Sequence, residues 1–143
     1  MSVNCIGSQR YLSLPELKRL GYICKQAYTM IKIYHNNRCR KSREGLAILE
    51  ESNQDFEVIR YLDNPPTPDE LRELLQKLAL RPEQLIRKNE AVWKAQFKGK
   101  ELTDDELILA MSQFPKLIER PIVVRNEQAV IGRPASAILK ILE

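Results

Sequence analysis

The sequence predicts an α/β domain, and the order of its strand and helix patterns is the reason. Just after residue 30, a short β-type run is followed by an amphipathic helical stretch and a second β-type run, as in a parallel βαβ unit. Capped helical stretches come next, and two short strands around a polar turn follow near the end of the chain. A parallel half and a hairpin half together indicate a mixed sheet covered by helices.

The first half of this region contains two strands and two helices. They are a strand over 31–34, a helix over 40–51, a strand over 56–62 and a helix over 69–78. Leu46, Ile48 and Leu49 are the expected buried stripe of the first helix. A proline-rich segment ends the second strand, and Thr67 is the expected N-cap of the second helix.

The second half contains three further helices and a hairpin. The helices are expected over 82–86, over 106–113 and from 132–134 onward, and the strands over 121–124 and 129–131. Thr103 and Glu106 form a capping-box pattern. Ile138, Leu139 and Leu142 are expected to face inward. The complete order, β-α-β, a helical insertion and β-β-α, is that of a thioredoxin-like fold.

Residues 1–29 differ from the rest, and we expect them to be an N-terminal extension of a domain that spans residues 30–143. The segment Ser13-Leu14-Pro15-Glu16 offers helix-start signals, so residues 14–27 are expected to be helical. An upstream start codon would account for such an extension. Cys5 and Cys24 lie in it and are interpreted as incidental free thiols.

Composition excludes several classes of protein. The chain has 143 residues, of which 43% are hydrophobic and 29% charged, and it lacks an apolar segment long enough for a membrane span, so we expect a cytoplasmic globular protein. Three cysteines and one histidine offer neither an even disulfide framework nor a metal site. Four of the 23 basic and one of the 19 acidic residues precede Met30, so the remaining chain is nearly neutral and no nucleic-acid partner is expected.

Cys39 is the candidate nucleophile. It lies between a polar turn and the start of the first predicted helix, where free backbone N–H groups and the helix dipole stabilise an anion. Four cations surround it in the sequence: Arg38, Arg40, Lys41 and Arg43. Both features lower the pKa of a thiol, and the same features attract an oxyanion. The pattern predicts a thiol-based enzyme that acts on a small anion.

Two nearby polar residues are candidate partners of this thiol. Ser42 completes a Cys-x-x-Ser pattern, in which serine can donate a hydrogen bond to the thiolate but cannot resolve a mixed disulfide. An external thiol must therefore complete a turnover. His35 lies on the turn before Cys39, and in its protonated form it would stabilise the thiolate.

Three arginines are candidate oxyanion ligands. Arg87, Arg120 and Arg133 each lie at an element boundary, and the guanidinium fork binds tetrahedral oxyanions at two points. The bond between Arg120 and Pro121 is a candidate cis peptide. A phosphatase-type Cys-x5-Arg loop is excluded, because Gly45 stands where its arginine would be.

From Met30 to Glu143 the sequence resembles the glutaredoxin-coupled arsenate reductase family. The segments that carry the resemblance are Ile33-Tyr34-His35-Asn36, Cys39 with Ser42-Arg43, Tyr61-Leu62-Asp63-Asn64-Pro65-Pro66, Ile86-Arg87-Lys88-Asn89, Leu102-Thr103-Asp104-Asp105, Glu119-Arg120-Pro121-Ile122-Val123-Val124 and Gly132-Arg133-Pro134. At 37–38 and 40–41 the chain departs from well-known members, and its larger, cationic residues make the site entrance bulkier and more positive.

The resemblance implies a thioredoxin-like oxidoreductase that reduces arsenate to arsenite with glutathione and glutaredoxin as electron donors. It implies that Cys39 is the nucleophile, that His35 helps to keep it ionised, and that Arg87, Arg120 and Arg133 hold the oxyanion. No bound cofactor or metal is expected, and glutathione is a co-substrate. Two alternatives stay open: a redox-responsive transcription regulator of the Spx type that binds RNA polymerase, against which Ser42 argues, and a thiol-disulfide reductase.

Overall fold

The computed structural model describes residues 30–143, in which a four-stranded mixed sheet separates two layers of helices. The strands are β1 (Ile31–Tyr34), β2 (Phe56–Ile59), β3 (Ile122–Arg125) and β4 (Gln128–Ile131). Their order in the sheet is β2-β1-β3-β4, with β1 parallel to β2 and antiparallel to β3. The predicted α/β class is confirmed. The helix and the free thiols predicted within residues 1–29 lie outside the described residues.

Six α-helices and two 3₁₀ turns connect these strands in the described part of the chain. They are α1 (Arg40–Glu51), α2 (Pro68–Leu78), α3 (Pro82–Leu85), α4 (Ala91–Gln96), α5 (Asp104–Gln113) and α6 (Leu139–Leu142), with 3₁₀ turns at Pro115–Leu117 and Ala135–Ile138. Thr67 and Thr103 cap α2 and α5 in complete capping boxes, as predicted. None of these helices is long and apolar enough to cross a membrane.

Each face of the sheet packs against its own apolar cluster. Ile31 and Ile33 of β1 join Val123 of β3 in a cluster with Leu49 of α1 and Ile138, all of them buried. The predicted stripe of α1 is confirmed in this cluster, where the two further stripe residues are partly buried. The close packing fixes α1, and therefore the residue that precedes it, against the sheet.

The opposite face carries the helical insertion. Ile122 and Val124 of β3 contribute to a larger cluster with Leu71 of α2, Met111 of α5 and Tyr61, whose side chain is fully buried. This cluster holds the segments between α3 and β3 beside the sheet. Those segments carry two of the three candidate arginines.

Three sequence-based assignments were wrong in detail. The second strand ends at Ile59 rather than Leu62, because residues 60–62 turn and the N–H groups of Asp63 and Asn64 donate to the carbonyl of Arg60. Helix α4 was not predicted. The C-terminal segment begins as a 3₁₀ turn, so Leu139 is exposed and Ile141 takes the expected buried position.

A close packing contact positions the start of α1. A Cβ atom at Gly45 would lie 2.8 Å from Cγ of Pro121 and 2.9 Å from Cδ1 of Ile138, and one at Gly132 would meet the same two atoms. Only glycine allows α1 and the segment after β4 to approach Pro121 this closely. The cis peptide expected between Arg120 and Pro121 is present. The close packing at Gly45 holds Cys39, at the start of α1, next to the loop that contains Pro121.

Candidate active site

Cys39 occupies the N-cap of α1. Its backbone is extended, with φ −96° and ψ 120°, and its carbonyl accepts the first hydrogen bond of the helix from Arg43 at 3.1 Å. Its N–H donates to the carbonyl of Asn36 at 3.0 Å, which closes the turn that precedes the helix. The thiol is free and partly exposed. The position predicted from the sequence therefore gives a reachable thiol at the positive end of a helix dipole.

His35 and Ser42 build the floor of this turn. The Ser42 hydroxyl is fully buried, accepts a hydrogen bond from the N–H of Asn36 at 2.9 Å and lies 2.9 Å from Nδ1 of His35. His35 is itself buried, and its N–H donates to the carbonyl of Ile59 at 3.0 Å. The backbone of His35 thus ties the turn to the end of β2, and its side chain contacts Ser42 in the first turn of α1.

The protonation state that the structure favours for His35 differs from the imidazolium considered above. Burial lowers the pKa of His35, and the charges of Arg43 and Arg60 act in the same direction, against hydrogen bonds with Ser42 and Asn37. A neutral imidazole is therefore favoured at neutral pH, rather than an imidazolium. The hydrogen bond of its Nδ1 goes to Ser42, so His35 acts on Cys39 through Ser42 and the turn.

Two of the three candidate arginines reach Cys39. Nη2 of Arg133 lies 3.9 Å from Sγ, within the range of a sulfur hydrogen bond. Its Nε donates to the carbonyl of Arg120 at 2.9 Å, which couples the two arginines. Arg120 is mostly buried, and its guanidinium favours the Cys39 thiolate and so lowers the pKa of the thiol.

The groups around Cys39 shift its thiol pKa in opposite directions, and those that stabilise the thiolate have the larger combined effect. Partial burial acts to raise the pKa of the Cys39 thiol. The backbone N–H of Ser42, the Arg120 guanidinium and the backbone N–H of Lys41 stabilise the thiolate more strongly, so the pKa lies below its ordinary value. The thiolate is the nucleophilic form, and this arrangement therefore favours chemistry at Sγ.

Arg87 joins the same cluster through two carboxylates. Its Nη2 lies 3.2 Å from Oε1 of Glu90, which is also 3.6 Å from Nη2 of Arg120. Its Nη1 lies 3.8 Å from Oε1 of Glu119, which is also 2.9 Å from Nε of Arg133. The structure thus brings together all three predicted arginines, and two glutamates bridge them.

Glu90, Glu119 and Tyr61 were not singled out as functional residues in the sequence. The Tyr61 hydroxyl, Nη1 of Arg87 and Nε of Arg120 are buried without a hydrogen-bond partner in the described part of the chain. Burial raises the pKa of Tyr61 to about 12 against the opposing charges of Arg120 and Arg87, so the phenol stays protonated. The two glutamates lie close in sequence to Arg87 and Arg120, and this proximity was the only sequence signal that they belong to the site.

The cluster can bind and polarise a small oxyanion beside a nucleophilic sulfur. Several guanidinium groups offer donors to its oxygens, and the helix N-terminus adds positive potential. Among residues 30–143, no group of three or more His, Cys, Asp or Glu side chains is placed to hold a metal ion. The partly exposed thiol and the guanidinium groups beside it support nucleophilic attack by sulfur with electrostatic stabilisation by arginine.

Known proteins are similar to this chain in sequence and fold. The ArsC family profile matches residues 34–141. The chain is 40% identical over 114 residues to the arsenate reductase of Neisseria meningitidis serogroup A, covering 78% of this chain and 97% of that protein. It is 44% identical over 114 residues to the uncharacterized protein YfgD of Escherichia coli K12, covering 78% and 96%. The solved structure of the arsenate reductase from Vibrio cholerae has a TM-score of 0.76 and 45% identity, covering 80% of this chain and 98% of that one.

Proposed function

The chain belongs to the ArsC family, and from that premise we propose that it reduces arsenate to arsenite with Cys39 as its single nucleophilic cysteine. Glutathione and glutaredoxin are the proposed electron donors. The observation that carries the proposal is the Cys39 thiol at the N-terminus of α1, with Nη2 of Arg133 at 3.9 Å from Sγ and a pKa that backbone N–H groups and the Arg120 guanidinium lower. A thiolate with adjacent guanidiniums suits attack on an anionic tetrahedral centre.

In the proposed reaction, the Cys39 thiolate attacks arsenic, a sulfur–arsenic bond forms, and one oxygen leaves as water after protonation. Arg87, Arg120 and Arg133 are the proposed oxyanion ligands, and they balance the charge on the remaining oxygens. His35 and Ser42 are proposed to hold the turn so that the thiolate stays ionised and aimed at the substrate.

An external thiol is required to finish the reaction, because residue 42 is serine and cannot attack a sulfur bond of Cys39. In the proposed second step, the glutathione thiolate attacks Sγ of the adduct, a Cys39–glutathione disulfide forms, and the sulfur–arsenic bond breaks with its electron pair left on arsenic, so that arsenite leaves. Glutaredoxin then reduces this disulfide and restores the Cys39 thiol. Overall, arsenic gains two electrons, two thiol sulfurs lose them as a disulfide, and one water is released. No bound cofactor is needed for this balance.

The test is arsenite production from arsenate by the purified protein with glutathione, glutaredoxin and an NADPH-coupled regeneration system. We expect turnover in the wild type and none in Cys39→Ser, whose melting temperature should match the wild type. An Arg120→Lys variant should be slower, because lysine cannot bind two oxygens at once. Full activity in Cys39→Ser would contradict the mechanism. Absence of turnover despite a reactive Cys39 thiol would favour a regulatory role or another thiol substrate.

A further inference from the structure

A cleft of about 520 Å³ opens beside the candidate active site. One wall is the turn over 35–38 that precedes Cys39, and the other walls carry Arg60, Asp63, Lys116 and Arg120. Arg120 also stabilises the Cys39 thiolate and is one of the proposed oxyanion ligands, so the cleft and the proposed oxyanion site share this residue. A molecule in the cleft would therefore lie next to whatever is bound at Sγ.

Three cations of this cleft lack counter-charges. The side chains of Arg38, Arg60 and Lys116 are exposed, and none of them forms an ion pair within residues 30–143. The arginines of the oxyanion cluster, in contrast, are each paired with a glutamate. An excess of unpaired positive charge that lines a cleft raises the local concentration of anions and steers them toward it. The cleft therefore favours a ligand with more than one negative group.

One acidic residue of the cleft is also unpaired. Glu90 lines the cleft but is bound to Arg87 and Arg120, whereas Asp63 forms no ion pair in the described part of the chain. Asp63 follows Arg60 by one turn, and its N–H donates to the carbonyl of Arg60 at 3.0 Å. A positively charged group fits beside Asp63, and carboxylates fit beside the three cations. The ligand that matches this pattern carries two carboxylates and one ammonium group.

We propose that this cleft is the binding site of the external thiol, a tripeptide-sized thiol with two carboxylates and one ammonium group. Glutathione has this chemistry, and clefts of roughly 300–1,000 Å³ hold ligands of this size. The inference rests on the proposed function, because it names where the co-substrate of that reaction binds. Arg60 and Lys116 hold the carboxylates, Asp63 holds the ammonium group, and the sulfur is delivered next to Arg120 and Cys39.

The site can be tested without arsenate through thiol–disulfide exchange at Cys39. The Cys39 thiolate attacks one sulfur of oxidised glutathione, the sulfur–sulfur bond breaks, a mixed disulfide forms, and one glutathione thiolate leaves. Neutral 2-hydroxyethyl disulfide reacts with the same thiolate. The ratio of the two rate constants, followed by mass spectrometry of the Cys39 peptide, therefore reports recognition in the cleft and cancels changes in thiol reactivity.

We expect Arg60→Glu and Lys116→Glu each to lower this ratio by about three- to tenfold, the effect of one lost ionic contact. Lys140→Glu is the matched control, since it makes the same charge change on an exposed lysine of α6, and its ratio should equal that of the wild type. Equal ratios in all three variants and the wild type would overturn the proposal, as would an equal loss in the control.

A further variant tests the ammonium contact. Asp63→Asn should slow exchange with oxidised glutathione and should speed exchange with dithiodiglycolate, a disulfide that has carboxylates but no ammonium group. A parallel change for both disulfides would refute the role of Asp63. Exchange needs no arsenate, so the two proposals can fail separately. If the ratios change as expected but arsenate is not reduced, the thiol site stands and the proposed function is wrong. If arsenate is reduced but the ratios do not change, the proposed function stands and the thiol site is wrong.

Discussion

The contact between Arg133 and Cys39 gives a quantitative prediction for the thiol pKa. Nη2 of Arg133 lies 3.9 Å from Sγ, and its charge is only partly compensated by Glu119, which is 2.9 Å from Nε. Replacing Arg133 with Gln removes a positive charge from beside the thiolate and leaves a shorter, neutral side chain. The neutral thiol is unaffected by that charge, so the variant should raise the thiol pKa.

The magnitude follows from the distance. Two unit charges at 3.9 Å attract by about 1 kcal/mol at the dielectric constant of water and by about 4 kcal/mol at an effective value near 20. The Arg133 side chain is 36% exposed and shares its charge with Glu119, so the lower end applies. Since roughly 1.4 kcal/mol corresponds to one pKa unit, we expect the Cys39 pKa to rise by about one unit.

The assay is the rate of Cys39 alkylation by iodoacetamide as a function of pH, followed on the Cys39 peptide by mass spectrometry. The wild-type rate should rise through a midpoint below the ordinary thiol value, and that of Arg133→Gln through a midpoint about one unit higher. Arg133→Lys keeps the charge and should shift the midpoint by less. The double variant Arg133→Gln with Glu119→Gln controls for the release of the carboxylate. An unchanged midpoint in Arg133→Gln and in the double variant would refute the electrostatic account.

Three further predictions concern residues around the site. Tyr61→Phe should leave the melting temperature unchanged or slightly higher, because the removed hydroxyl is buried without a partner; a clear drop would show that the hydroxyl is bonded in solution. Gly45→Ala should reduce the free energy of unfolding in urea by about 1–3 kcal/mol, because its Cβ would meet Pro121 at 2.8 Å, and unchanged stability would show that the loop can yield. Glu90→Gln should let phosphate protect Cys39 from alkylation at roughly fivefold lower concentration, since Arg87 and Arg120 lose a competing carboxylate; weaker protection would contradict this.

Local signals in the sequence were sufficient where a structural element depends on neighbouring residues. Thr67 and Thr103 form the capping boxes that their spacing predicts, because a capping box involves only residues three apart. The same holds for Cys39, since the N-cap position depends on the adjacent turn and helix. Strand β1 was also recognisable, because its buried and exposed residues alternate.

The errors arose where tertiary contacts override the local pattern. Residues 56–62 alternate like a strand to the end, but Tyr61 is buried in the helical insertion, and the backbone turns at Arg60 to place it there. Helix α4 was missed because its N-cap, Glu90, makes no side-chain capping bond. The carboxylate of Glu90 pairs with Arg87 and Arg120 instead of capping the helix. The residue before α4 therefore belongs to the candidate active site and gives no capping signal in the sequence.

The two glutamates explain how three arginines can share one small site. Arg87, Arg120 and Arg133 would repel one another if unpaired, and one nitrogen each of Arg87 and Arg120 is buried without a hydrogen-bond partner within residues 30–143. Glu90 and Glu119 each bridge two of them, which offsets two of the three positive charges and leaves a net positive charge beside the Cys39 thiolate. Under the proposed function, arsenate competes with these carboxylates for the same guanidinium groups. The glutamates stabilise the arginine cluster, and in the proposed reaction they weaken its hold on the oxyanion, so the product is released more readily than it would be from three unpaired arginines.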